Sequence, residues 1–249
     1  MGGRRLKVIL NSITGIDDAI ETMYLSKRTW TEELHNEVRE VCDALLLRNG
    51  TLISPEIKSL DNSYYQQFNK WLDMVCKMTV HHITLGRFID FSFTVVGLHR
   101  GGQDDWDAHT KRYENRIIRS STRLADFGNE KSDYYKDKIL TTDEALDILE
   151  ITAPNEITFN GKKYIKTING YILEEYKDNK DVKRGLYMLS IPSNFLFKVN
   201  LTEFAHVYKE RWSGGTANPE VKDCAEMCLE LVVEQFYQFN RELMLKIKN

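Results

Sequence analysis

Five basic side chains crowd the segment KRYENRIIRSSTR, residues 111–123: Lys111, Arg112, Arg116, Arg119 and Arg123. The four arginines are separated by four, three and four residues. On a helix those steps place all four on one face. Like charges so spaced repel by about a few tenths of a kcal/mol per pair, a cost that a bound anion offsets. Guanidinium forks match phosphate oxygens in bidentate geometry. The hydroxyls of Ser120, Ser121 and Thr122 interleave with them. The chemistry such a face supports is phosphate recognition, and the alternative is a solvated helix face.

A second polar cluster lies in NLTEFAHVYKERWSGGTANPEVKD, residues 200–223. Asn200, His206 and Arg211 punctuate short apolar runs, and Gly214-Gly215 lets the chain turn sharply. By its residues alone this is a helix–loop–helix, in which a lone His206 is more often a surface or core residue than a catalyst.

The elements that must position these clusters follow from periodicity. KVIL, residues 7–10, reads as a strand and residues 16–26 as a helix. Thr29 and Glu32 have the spacing of a capping box, and Leu34, Val38, Cys42 and Leu45 line one face of the helix that follows, ended by Asn49-Gly50. A third helix is expected over residues 64–79. In RFIDFSFTV, Ile89, Phe91, Phe93 and Val95 alternate with polar residues, which predicts a half-buried strand broken at Gly97 and Gly101-Gly102. Asp104 and Asp105 suit the start of a helix that would carry the arginine stripe. A strand, a glycine turn and a basic helix together make an anion-site scaffold.

Further on, residues 142–150 read as a helix. Asn160-Gly161 and Asn169-Gly170 signal a small antiparallel meander over residues 157–175. A strand is expected at 195–199 and a helix capped by Thr202 up to Arg211. A final helix has Asn218 as cap and Pro219 at its first position and extends towards residue 245. The pattern is α+β, a mostly antiparallel sheet packed with helices.

Composition narrows the function. The chain has 249 residues, 42% of them hydrophobic and 29% charged, with a formal net charge of −3. That near-balance argues against a general nucleic-acid binder, and leaves an RNA-binding module using the stripe and Tyr113 as the weakest reading. Four cysteines, Cys42, Cys76, Cys224 and Cys228, include no Cys-x-x-Cys pair, and no metal site is assigned. Reduced thiols and the missing signal peptide point to the cytoplasm. No apolar run approaches the ~20 residues of a membrane span.

Residues 182–229 resemble the C-terminal signature of the flavin-dependent thymidylate synthase family. That signature has an arginine, an apolar Leu-Pro segment, Asn-x-Arg before a helix ending in Leu-Arg, and a loop with Ala-Gln-x-Glu-Ile. Here Arg184 precedes LYMLSIPSNFLFKV, then come Asn200-Leu201-Thr202, a helix ending in Glu210-Arg211, and Ala217-Asn218-Pro219-Glu220-Val221. Arg184, Asn200, Arg211, Ala217 and Glu220 match identically. The family's Ser-x-Arg falls on Ser121-Thr122-Arg123, its Arg-His-Arg on Lys111-Arg112-Tyr113, and its His-Glu-Thr-Pro resembles His82-Ile83-Thr84. The likeness covers about half of the chain.

The likeness implies a single thymidylate synthase-like domain over 1–249, with a variable insert at about 130–180. It implies a homotetramer that binds deoxyuridine monophosphate (dUMP) beside FAD, takes a one-carbon unit from methylenetetrahydrofolate and a hydride from NADPH, and uses no cysteine nucleophile. Carried over, Ser121, Thr122, Arg123, Arg184 and Arg211 hold the substrate. Lys111, Arg112, Tyr113, Arg119, Asn200, His206 and Asn218 fall to the cofactor, and no catalytic residue is assigned. The sequence departs from the family at several positions. Arg119 stands where the family has an acid or amide, Phe88 where it has a flavin-side histidine, Thr202 in place of the arginine of Asn-x-Arg, and Thr216-Ala217-Asn218 in place of His-Ala-Gln. Nucleotide-side residues are kept better than flavin-side ones. Two alternatives stand beside thymidylate synthesis: a pyrimidine nucleotide hydroxymethylase, and a nucleotide-binding homologue that has lost flavin.

Overall fold

A computed structural model describes residues 5–58, 62–108, 115–121, 130–167, 169–213 and 218–247. The fold is α+β, with antiparallel sheets packed against helices. The elements run β1 (Lys7–Thr14), α1 (Ile16–Ser26), α2 (Glu32–Leu45), α3 (Ser63–Thr79), α4 (Ile83–Gly86), β2 (Asp90–His99), α5 (Arg100–Ala108) and β3 (Asn115–Arg119). After them come α6 (Thr142–Ile148), β4 (Glu156–Phe159), β5 (Lys162–Thr167), β6 (Gly170–Leu173), α7 (Lys180–Lys183) and β7 (Pro192–Asn200). The chain closes with α8 (Leu201–Tyr208), α9 (Pro219–Gln235) and α10 (Arg241–Lys246). One sheet has the order β1-β2-β7-β3 and the other β4-β5-β6. None of the described helices is long and apolar enough to cross a membrane.

The chain divides into two compact units. The larger comprises residues 8–95, 105–118 and 196–249, and the smaller 1–7, 96–104 and 119–195. The larger unit is built on the alternation in β2: Ile89, Phe91, Phe93 and Val95 are all fully buried. Phe93 stacks on Phe197 of β7 with ring centroids 5.0 Å apart, and Phe91 meets Phe204 of α8 edge-on at 5.4 Å. Trp106 closes on Phe197 at 5.2 Å. Each such ring, removed from water, contributes about 1.5–3 kcal/mol. Phe93→Ala would cost about 3–5 kcal/mol through the cavity it leaves.

Several boundaries differ from expectation, each for a local reason. Thr31, not Thr29, caps α2; its hydroxyl accepts from the Leu34 amide at 3.1 Å. Thr29 is occupied two residues earlier, its amide and hydroxyl both donating to the Tyr24 carbonyl at the end of α1. β2 does not break at Gly97. It continues to His99, because Gly97 takes a left-handed φ of 85° and donates its amide to Asn194. Helix α9 does not reach residue 245. Phe236 adopts an extended conformation that buries its ring 5.5 Å from Phe68, and Asn240 then caps α10.

In the smaller unit the meander forms as expected. Phe159 pairs with Lys162 around Asn160-Gly161, both with positive φ, the geometry of a two-residue hairpin turn. Helix α6 carries a capping box: Thr141 accepts from the Glu144 amide, and Glu144 accepts from the Thr141 amide. The buried Lys131 ammonium donates to Glu144 at 2.7 Å and to the Ile139 carbonyl at 2.9 Å. That hydrogen bond from Lys131 holds the Glu144 carboxyl below the usual glutamate range.

Candidate functional site

Among the described residues the arginine stripe is not helical. Arg116 and Arg119 lie on β3, where residues three apart point to opposite faces of the sheet. Arg116 donates to Asp90 at 2.8 Å, and Asp90 also pairs with Lys198 at 3.1 Å. Arg119 donates to Asp104 at 2.5 Å and to the Gln103 carbonyl. Helix α5 starts at Arg100 and carries Asp104 and Asp105 in its middle, not at its N-terminus. The spacing of the arginines predicts a helix, but pairing in the sheet makes this segment a strand, which separates Arg116 and Arg119 onto opposite faces. Lys111, Arg112, Tyr113, Thr122 and Arg123 lie outside the described residues. Arg184 opens a single 3₁₀ turn, Arg184–Leu186, and its side chain is likewise outside them. Ser121 ends the described segment after β3.

Arg211 is different. Asn200 terminates β7 and caps α8, its carboxamide oxygen accepting from the Glu203 amide at 3.0 Å and from the Thr202 hydroxyl at 2.7 Å. Asn200, not Thr202, is therefore the cap, and Thr202 supports it. Helix α8 is apolar almost all round, with Leu201, Phe204, Ala205, Val207 and Tyr208 buried. His206 is its half-buried polar residue. The helix then widens into a five-residue π turn, Lys209–Ser213, with Arg211 at its centre. Such turns are frequent at functional sites.

The Arg211 side chain is only 7% exposed, yet its Nε and one terminal nitrogen have no hydrogen-bond partner among the described residues. Burial pulls its pKa down, and the charges of Asp105 and Glu210 oppose that shift without forming a salt bridge. A buried guanidinium short of acceptors is costly, and a carboxylate or phosphate would relieve it. Downstream, Asn218 caps α9 by accepting from the Glu220 amide at 2.9 Å, with Pro219 at the first position, as expected.

Two features escaped the reading of the sequence. In the larger unit a cleft of about 630 Å³ is lined by Thr22, Ser26, Lys27, Met78, His81, His82, Thr84 and Phe88. Of these, His82, Thr84 and Phe88 were noted only through the family likeness, and nothing in the spacing joined them to Lys27. Phe88 is 42% exposed at its edge. In the smaller unit Gln103 is fully buried, and neither side-chain amide atom has a hydrogen-bond partner among the described residues. A lone glutamine between glycines and aspartates carries no periodic signal that could have found it.

No protein-family model and no curated protein sequence matches the chain. Solved structures do. Thymidylate synthase X (ThyX) from Helicobacter pylori with FAD and dUMP is similar at 13% identity, covering 96% of this chain and 99% of that one, with a TM-score of 0.56. A second structure of the flavin-dependent thymidylate synthase from Helicobacter pylori, also complexed with FAD and dUMP, is similar at 14% identity. It covers 94% of this chain and 98% of that one, with a TM-score of 0.54. At this identity the likeness speaks to architecture, so the chain has the fold of the flavin-dependent thymidylate synthases.

Proposed function

We propose that the chain transfers a one-carbon unit from methylenetetrahydrofolate to C5 of a deoxypyrimidine monophosphate, with dUMP to dTMP the first assignment. The observation that carries the reading is Arg211, a buried cation short of acceptors at the position where the family resemblance expects a nucleotide contact. A guanidinium in that state has donors open to an anion or a ring carbonyl, which it would bind with charge-assisted hydrogen bonds. Ser121, Thr122, Arg123 and Arg184 are the further substrate contacts in this proposal, and members of a homotetramer would share them.

The described residues fit a flavin in part. The cleft beside Phe88 offers an aromatic edge, two imidazoles and Lys27, a composition suited to a planar, anionic cofactor. FAD, when bound, would carry the hydride that NADPH supplies. His81, His82 and Phe88 would hold and orient it, and Met78 and Leu85 would exclude water. Lys111, Arg112, Tyr113, Arg119 and His206 are proposed for its polar contacts. Asn200 and Asn218 would serve only through their amide nitrogens, since both carboxamide oxygens cap helices.

That commitment, with Phe88 at the position of the family's histidine, favours a second reading: a nucleotide-binding homologue without flavin. The test is incubation with dUMP or deoxycytidine monophosphate, methylenetetrahydrofolate, NADPH and FAD, followed by mass spectrometry of the nucleotide. A product heavier by one carbon supports the first reading and distinguishes methyl from hydroxymethyl. Unchanged nucleotide, with colourless protein that does not take up FAD, supports the second.

A further inference from the structure

The π turn that carries Arg211 is held from both sides by one other arginine. Tyr208 and Trp212, four residues apart, stack with ring centroids 5.7 Å apart and planes inclined by 6°. Arg241, the first residue of α10, lies over the Trp212 ring at 4.3 Å. The same guanidinium donates from Nε to the Tyr208 hydroxyl at 3.0 Å and from Nη2 to Glu226 of α9. Tyr208 in turn donates to Glu226 at 2.9 Å. Lys209, at the start of the turn, donates to the Ile247 carbonyl just after α10. The residues on either side of Arg211 along the turn are therefore tied to the C-terminal helix.

A π turn carries an extra residue per turn and is uncommon unless its surroundings hold it. A planar fork that touches a ring face, a phenol and a carboxylate at once is suited to that task, and an ammonium is not. We infer that Arg241 is a positioning residue: by clamping Tyr208 and Trp212 it fixes the π turn that aims the Arg211 guanidinium at the bound anion. The inference rests on the reading of Arg211 given above, and goes beyond it in assigning the C-terminal helix a part in ligand affinity.

The test is a double-mutant cycle read by calorimetric titration of dUMP into the full-length protein, with thermal melts of each variant. Arg211→Ala is expected to weaken dUMP binding about tenfold or more, and Arg241→Gln about three- to tenfold. In the Arg211→Ala background, Arg241→Gln should change affinity by less than about twofold, because its effect passes through the missing side chain. A purely structural Arg241 would lower the melting temperature while leaving dUMP affinity intact, or would weaken binding equally in both backgrounds. Either result overturns the inference. If Arg241→Gln does not fold, Arg241→Lys runs through the same cycle, keeping the charge over Trp212 but not the fork. Wild-type affinity in Arg211→Ala sinks both this inference and the reading beneath it. Weakened Arg211→Ala beside unaffected Arg241 variants sinks this inference alone.

Discussion

Strand β3 and the π turn after α8 both carry arginine, in opposite states. On β3, Arg116 is largely exposed and pairs with Asp90, while Arg119 pairs with Asp104. In the π turn, Arg211 is buried and two of its nitrogens lack acceptors among the described residues. The sequence draws the eye to the first region because arginines are dense there. The structure draws it to the second because one arginine there lacks what the others have. Density of a charged residue is thus a poor guide to a binding site. A charge withdrawn from water without a partner is a better one, since folding tolerates such a cost mainly where a ligand later relieves it.

The contrast can be broken or sharpened by mutation. The largest effect is expected at Arg211. Arg211→Met keeps the volume and removes the uncompensated charge, so the ligand-free protein should gain about 1–3 kcal/mol in urea unfolding. A loss of stability would mean that the guanidinium is already satisfied. Next comes Asn200→Ala, which removes the cap of the helix leading to the turn and should cost about 1 kcal/mol in the same measurement.

A smaller effect tests the opposite case, Lys131, a buried cation that does have its carboxylate. Glu144 is held below its ordinary value of 4.5, so the stability it supplies is complete above that pH and is lost as pH falls through the lowered value. Because its side chain is 40% exposed, solvent screens the pair, and the loss should stay under about 1 kcal/mol. Melts of wild type and Glu144→Gln, compared from pH 7 down to about pH 3, should converge at the acid end. Smallest of all is Arg116→Ala, whose exposed pair with Asp90 should be worth no more than about 0.5 kcal/mol, with dUMP affinity unchanged within about twofold.

Much of the architecture was legible in the sequence. The alternation in β2, the apolar stripes of α2 and α3, the Asn160-Gly161 turn and the Asn218-Pro219 start of α9 all appear where periodicity and turn chemistry put them, whereas Gly170 falls in β6, paired with Thr167, and not in the turn. Capping was read less well. Threonines and asparagines cluster near helix starts, and tertiary partners decide which of Thr29 and Thr31, or Asn200 and Thr202, does the work. The arginine segment failed for a deeper reason. The segment NRIIR has no polar–apolar alternation to announce a strand, and pairing in the sheet decided it. Of the candidate site, Arg211 was legible only through family likeness. Nothing in its neighbourhood announces that its donors would be buried without acceptors, which is a property of packing.

The account turns on whether Arg211 receives an anion. Calorimetric titration of dUMP into wild-type and Arg211→Met protein measures that directly. The account predicts affinity lower by about tenfold or more in a variant that melts higher than wild type. Equal affinities, or a variant that binds normally and melts lower, would contradict it.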